Sequence, residues 1–462
     1  MVVDRSPTRV VECSRVRDRT KRILAIALPI IGGMVSQNVL NLVDLAMVAT
    51  EGDAAVAAVG VGGFANFLAF SFITGLSASV QSIAARRKGE GRDSETAIPL
   101  NAALLLGLAL GIPLSIGLYH LVPWFFPLQN PDPAVLDVGI PYLQVRLIAM
   151  CAVAVNFSFR GYWNAVDLSK LYLRTLIVMH ACNILFNWMF IFGNLGAPEL
   201  GAYGAGVASA IATYIGSLFY VWLGVRHARD AGFLRGLPDR KTFRSIITLA
   251  LPNGLQQFMF AAGFNVLFWI LGHIAMGEDG GHSTVDVAAA NALVNVTLVA
   301  LLPGIALGIA AASLVGQALG RKDPEDAYAW GWDVARVAVF VMGGLGLPMA
   351  LFPDLVLSPF LHSAHALEAA RWPMRLVGLF IAFDGIGMVL MNAMLGAGAN
   401  RTVMVVSVTL QWGLFLPIAF VLGPVLGFGI LPIWIAQLTY RCITAGAFSI
   451  LWRRKAWTTI EL

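Results

Sequence analysis

Two acids and one polar helix face carry the chemistry that this sequence can do. Of the 26 Asp and Glu, all but Asp44 and Asp384 fall in loops or near the ends of long apolar runs, and neither has a Lys or Arg within one helical turn. A carboxylate in hydrocarbon costs at least ~2.5–3.5 kcal/mol, and an unpaired one lowers that cost by taking up a proton or binding a cation. Two such acids without a countercharge are natural sites for coupling ion movement to a change of shape. His180, Asn183 and Asn187 stand at i, i+3 and i+7 and share one helical face. Asparagine supplies oxygen ligands to a hard cation or hydrogen bonds to a carboxylate, so this face is expected to complete a site around Asp44. The plainer alternative is hydrogen-bonding glue between helices. A less specific polar set, Gln256, Gln257, Asn291 and Asn295, is expected to line a pathway in the second half of the chain. No catalytic constellation is evident. A sodium ion at Asp44 is the one metal considered.

The elements that position these residues must be membrane helices. The 462 residues are 58% apolar and 12% charged, with a mean hydropathy of +0.76. Soluble domains run nearer ~25% charged, so most of this surface must face a bilayer. A β-barrel is disfavoured because the apolar runs are unbroken and helix-length rather than alternating. Twelve spans are expected, near 23–49, 54–83, 97–120, 134–157, 171–193, 204–225, 246–274, 287–319, 328–352, 368–395, 403–422 and 429–451.

The net charge of +5 follows the membrane rather than a nucleic acid. Basic residues gather before the first span (Arg5 to Arg22) and in every second loop after it, as at Arg86 to Arg92, Arg226 to Arg244 and Arg453 to Lys455, whereas the alternate loops hold none. That pattern predicts an even number of spans with both termini cytoplasmic. The first span is too long for a cleaved signal peptide and lacks a cleavage site. Cys13, Cys151, Cys182 and Cys442 are widely spaced and read as packing thiols, and His362 and His365 as surface residues.

The two halves of the sequence repeat. Ile26-Ala27-Leu28-Pro29 returns as Leu249-Ala250-Leu251-Pro252, and Val145-Arg146-Leu147 as Met374-Arg375-Leu376. Six spans per half make the repeats parallel, an arrangement of carriers that rock two lobes about a central pathway. The expected organisation is a basic segment 1–22, a six-helix lobe 23–225, a linker 226–245, a second six-helix lobe 246–451 and a tail 452–462. No Gly-rich phosphate loop of the ATPase type is present, so an ion gradient, with no other cofactor, is the expected energy source.

In order along the chain, Leu28-Pro29, Asn41 to Val48 and Gly75 to Gly91 resemble the first two spans of the multidrug and toxic compound extrusion (MATE) family. Asn183 to Gly193 resembles its fifth span, Gly308 to Gly320 its eighth, and Leu395 to Gly398 the turn after its tenth. The resemblance implies the family's all-α fold of twelve membrane helices in two parallel six-helix lobes. It implies export of organic cations or other amphipathic compounds in exchange for protons or sodium ions, by a monomer that is not an enzyme. The first-span acid of the DinF branch falls on Asp44, and the tenth-span acid of the NorM branch on Asp384. Asn187 stands where many DinF-like members have an aspartate, and Phe260 where NorM-like members have a glutamate. A proton needs one carboxylate whereas sodium wants more oxygens, so proton coupling through Asp44 is the expectation. Alternatives are a major-facilitator carrier, against which residues 84–93 lack the signature order, a lipid-linked precursor flippase, and a membrane enzyme or receptor.

Overall fold

A computed structural model describes residues 7–274, 283–361, 363–428 and 430–462. His362 and the loop over 275–282 lie outside the described residues, as does Arg5. No strand occurs among the described residues. Twelve helical spans follow one another: α1 (Pro7–Val48), α2 (Asp53–Gly89), α3 (Ile98–Phe125), α4, α5 (Ser169–Phe192), α6 (Gly201–His227), α7 (Arg240–Ile274), α8 (Ser283–Gly320), α9 (Pro324–Leu351), α10 (Ala364–Gly396), α11 (Asn400–Val425) and α12 (Ile430–Arg453). Ten of these are long and apolar enough to cross a bilayer. The eleventh, α4, is a pair of arms, Pro133–Leu147 and Met150–Ala165, bent by 52°. The last, α12, is 24 residues long and carries Arg441 in its middle. In hydrocarbon each backbone amide must bond within its own segment, which is why helices alone span here.

By internal packing the described chain forms two compact units. One comprises Gly32–Ala262 with Asn400–Val405; the other comprises Met1–Ile31, Gly263–Ala399 and Val406–Glu461. In the first, α2 packs on α4, α3 on α4, and α5 on α6; in the second, α8 packs on α10, α9 on α10, and α10 on α12. The first two pairings of each unit repeat with the sequence. A Cβ on Gly161 of α4 would lie 2.1 Å from the Ser77 carbonyl of α2, and one on Gly396 of α10 would lie 2.2 Å from the Ala312 carbonyl of α8. Both pairs are related by the same offset of 235 residues, so one helix contact has been used twice. Lipid is as apolar as leucine, so close approach through small residues replaces the hydrophobic drive that holds soluble helices together.

The units depart from the sequence halves at three helices, α1, α7 and the start of α11. The start of α1 packs with α8 and α9, where Arg22 Nη2 donates to Gln317 Oε1 at 2.6 Å and the Arg19 guanidinium lies 3.8 Å from the Trp330 ring centre. The start of α7 packs with α2, because Gly75 and Gly254 let the two backbones touch. Residues 23–31 and 246–262, expected in the first and second lobes, therefore group with the other half's helices. The helices α1 and α7 run unbroken through these transitions, with Pro29 and Pro252 inside them.

The close contact at Gly161 predicts that Gly161→Ala lowers stability by about 1–3 kcal/mol through overpacking. Gly60→Ala, with nothing within 4 Å of the new Cβ, is expected to be neutral or slightly stabilising. Thermal unfolding of the purified variants distinguishes the two.

Candidate functional site

Asp44 lies four residues before α1 ends at Val48, about one helical turn from the end rather than deep in the span. It is half-buried. The face of α5 predicted from spacing is formed: His180, Asn183 and Asn187 are all buried. Each residue of that face meets a different partner. Asn187 Nδ2 donates to Asp44 Oδ1 at 2.5 Å and to Asn183 Oδ1 at 3.0 Å. Asn183 Nδ2 donates in turn to Ser209 Oγ of α6 at 3.1 Å, and His180 Nε2 is hydrogen-bonded to Gln37 Oε1 of α1 at 3.1 Å. A chain of amides thus leads from Asp44 through α5 to α6. Asn187 Oδ1 is buried with no hydrogen-bond partner among the described residues.

Arg146 of α4 is the cation that acts on Asp44 through its field. Its Nη1 donates to the buried Tyr142 hydroxyl at 2.7 Å. Reasoning along one helix at a time missed this group, since Arg146 and Asp44 are remote in sequence. The signal was present nonetheless, because Arg146 is one of very few basic residues inside an apolar span.

Asp384 stands in mid-helix, 8% exposed, in the other unit. It is not without a countercharge. Arg441 Nη1 of α12 donates to Asp384 Oδ2 at 2.8 Å, forming an ion pair whose side chains are both largely buried. The expectation of an unpaired second acid is therefore corrected. Sequence spacing on α10 could not show a partner 57 residues further on.

The second polar set divides between the two units. Gln256 is buried and Gln257 half-buried within the Gly32–Ala262 unit, whereas Asn291 and Asn295 are exposed in the other. Asn295 Nδ2 donates to the Asn291 carbonyl of its own helix at 2.9 Å. Cys151, Cys182 and Cys442 are free thiols. Among the described residues, no three His, Cys, Asp or Glu converge in a way that could hold a metal ion.

The MatE family profile matches residues 29–189 and 252–421, most of the chain. The chain is 26% identical over 452 residues to a protein of Mesorhizobium japonicum named probable multidrug resistance protein NorM, covering 95% of this chain and 94% of that one. It is 24% identical to the multidrug resistance protein MdtK of Yersinia pseudotuberculosis, covering 87% of each. Among solved structures, an outward-facing multidrug resistance MATE transporter of the MOP superfamily superposes with a TM-score of 0.85 at 20% identity, covering 96% of this chain and 97% of that one. That likeness establishes a shared fold.

Removing one member of the buried pair strands the other. Arg441→Ala is expected to destabilise the protein by about 3–5 kcal/mol, and the double change Asp384→Asn with Arg441→Gln by much less. Thermal unfolding of the single and double variants measures the difference.

Proposed function

The chain belongs to the MatE family, and from that premise we propose that it is a secondary carrier exporting amphipathic compounds, organic cations among them, in exchange for protons. The family match ends the major-facilitator alternative. The relatives carry multidrug-resistance names, which supports efflux as the direction of transport and a carrier rather than an enzyme. A multi-pass protein of a bacterial plasma membrane, working as a monomer with both termini cytoplasmic, is part of the same proposal. The basic residues of its alternate loops support that orientation.

The observation that carries the choice of ion is the hydrogen bond from Asn187 to Asp44. It presents the carboxylate with an N–H donor rather than with further oxygen ligands. Arg146 adds a positive field that opposes a metal cation at the same carboxylate. A proton needs only one carboxylate oxygen and tolerates both features. Sodium is the second reading, favoured by the buried and unpartnered Asn187 Oδ1, which would serve as a hard ligand if the site rearranged.

Coupling requires ion and drug to favour different conformations, since equal affinity for both shifts nothing. In the proposed cycle the deprotonated site favours the drug-binding state. Protonation of Asp44 removes its charge, weakens its attraction for Asn187 and Arg146, and resets the carrier.

Ethidium efflux from proteoliposomes under separately imposed pH and sodium gradients tests the proposal. The unmodified protein is expected to respond to the pH gradient alone, and Asp44→Asn to fall to the rate without a gradient. Undiminished pH-driven export by Asp44→Asn removes Asp44 from the mechanism. Asn187→Asp, which sets a second carboxylate against the first, is expected to make transport respond to sodium.

A further inference from the structure

Where α2 ends and α7 begins, the Gly32–Ala262 unit contains a cavity of about 100 Å³ that the transport reading does not use. A single water needs only ~10–15 Å³ of such space, so the cavity suits a larger group. Its walls carry four cations, Arg86, Arg87, Arg92 and Lys241, against the carboxylates of Glu90 and Asp239, with Leu462 beside them, and Arg92 is paired with both Glu90 and Glu95.

Both acids are already engaged. Glu90 Oε2 accepts from Arg92 Nη1 at 3.0 Å, and Asp239 Oδ1 caps the start of α7 by accepting from the Thr242 amide at 3.1 Å. The Arg87 guanidinium, by contrast, is held by neutral oxygens: Nη1 donates to the Glu95 carbonyl at 3.0 Å and Nη2 to Thr242 Oγ1 at 2.7 Å. These bonds fix its position, and the carboxylates of Glu90, Glu95 and Asp239 act on it only through their fields. Lys241 is exposed and flexible in reach, and the Ser245 hydroxyl lies one turn further along α7. The N-terminal end of a 35-residue helix adds a partial positive charge to the same wall.

We propose that this cavity binds a phosphate group, carried by an anionic phospholipid whose headgroup enters between the end of α2 and the start of α7. A rigid arginine, a mobile lysine, a hydroxyl and a helix N-terminus are a donor set for a tetrahedral oxyanion. The cavity also lies where two apolar spans give way to charged loops, the level at which lipid phosphates sit. Basic pockets between membrane helices bind acidic headgroups in this way. Occupation would tie α2 to α7 and stabilise that unit.

Thermal unfolding of the full chain in phosphatidylcholine nanodiscs tests the site, with two added probes. One arm replaces part of the lipid with phosphatidic acid; the other adds inorganic phosphate against chloride of equal ionic strength. Phosphatidic acid is expected to raise the unfolding temperature by a few degrees. Lys241→Ala should weaken its apparent affinity about fivefold, the share of one cation near the membrane surface. Lys241→Arg should retain it, and Arg229→Ala, an exposed loop cation outside the cavity, should not alter it. A response to lipid alone assigns the phosphate to a headgroup, and a response to inorganic phosphate assigns a free-phosphate site. No response in either arm, or an equal response in Lys241→Ala, overturns the proposal.

Discussion

A carboxylate placed among apolar helices must find something that answers its charge, and this requirement organises the protein around two different solutions. Asp384 is answered by the guanidinium of Arg441 at 2.8 Å, a full ion pair whose side chains are largely buried. Asp44 is answered by the amide of Asn187 and, through its field, by Arg146. The first arrangement is satisfied as it stands and resists change, because either charge left alone would be strongly destabilising. The second holds a charge with a neutral hydrogen bond and a cation that does not touch it, so gaining a proton alters the balance of forces at Asn187 and Arg146 together. Two acids at unrelated positions of the repeat, one on α1 and one on α10, thus serve as a candidate moving part and a fixed strut.

The surrounding packing explains how such a part can be held and still respond. Contacts such as Gly161 on Ser77 and Gly396 on Ala312 bring helix backbones together with no side chain between them. They lock α2 to α4 and α8 to α10 as rigid pairs. Asp44 lies outside these tight contacts, near the end of α1, and is held by polar bonds to α5. The start of α1 is tethered elsewhere, through Arg19 and Arg22 to α8 and α9. Pro29, which removes one helical hydrogen bond, lies between the tether and the acid.

Much of this was legible in the order of residues. Apolar run length marks the spans, and the recurrence of Leu28-Pro29 at Leu251-Pro252 marks the repeat. The α5 face was legible as well, because spacings of three and four place side chains together on any helix. Its contact with Asp44 followed from chemistry, since an acid in oil needs a donor and asparagine is one. The error at Asp384 has an equally plain cause: only residues within a turn were considered as partners, and Arg441 belongs to α12. The start of α7 was equally illegible, since it packs on α2 through Gly75 and Gly254 rather than with the helices that follow it in sequence.

What the residues alone determined is everything that depends on local period and composition: twelve helices, their membrane setting, the duplication and the polar face of α5. Folding in three dimensions decided which remote helices meet. It therefore decided that Asp384 has a countercharge, that Asp44 has Asn187 as its immediate partner, and that loop cations from α2 and α7 enclose one cavity. The division is physical. A helix's own geometry is set by backbone hydrogen bonds a few residues apart, whereas the charge balance of a buried group depends on side chains that only packing brings within a few ångströms of it.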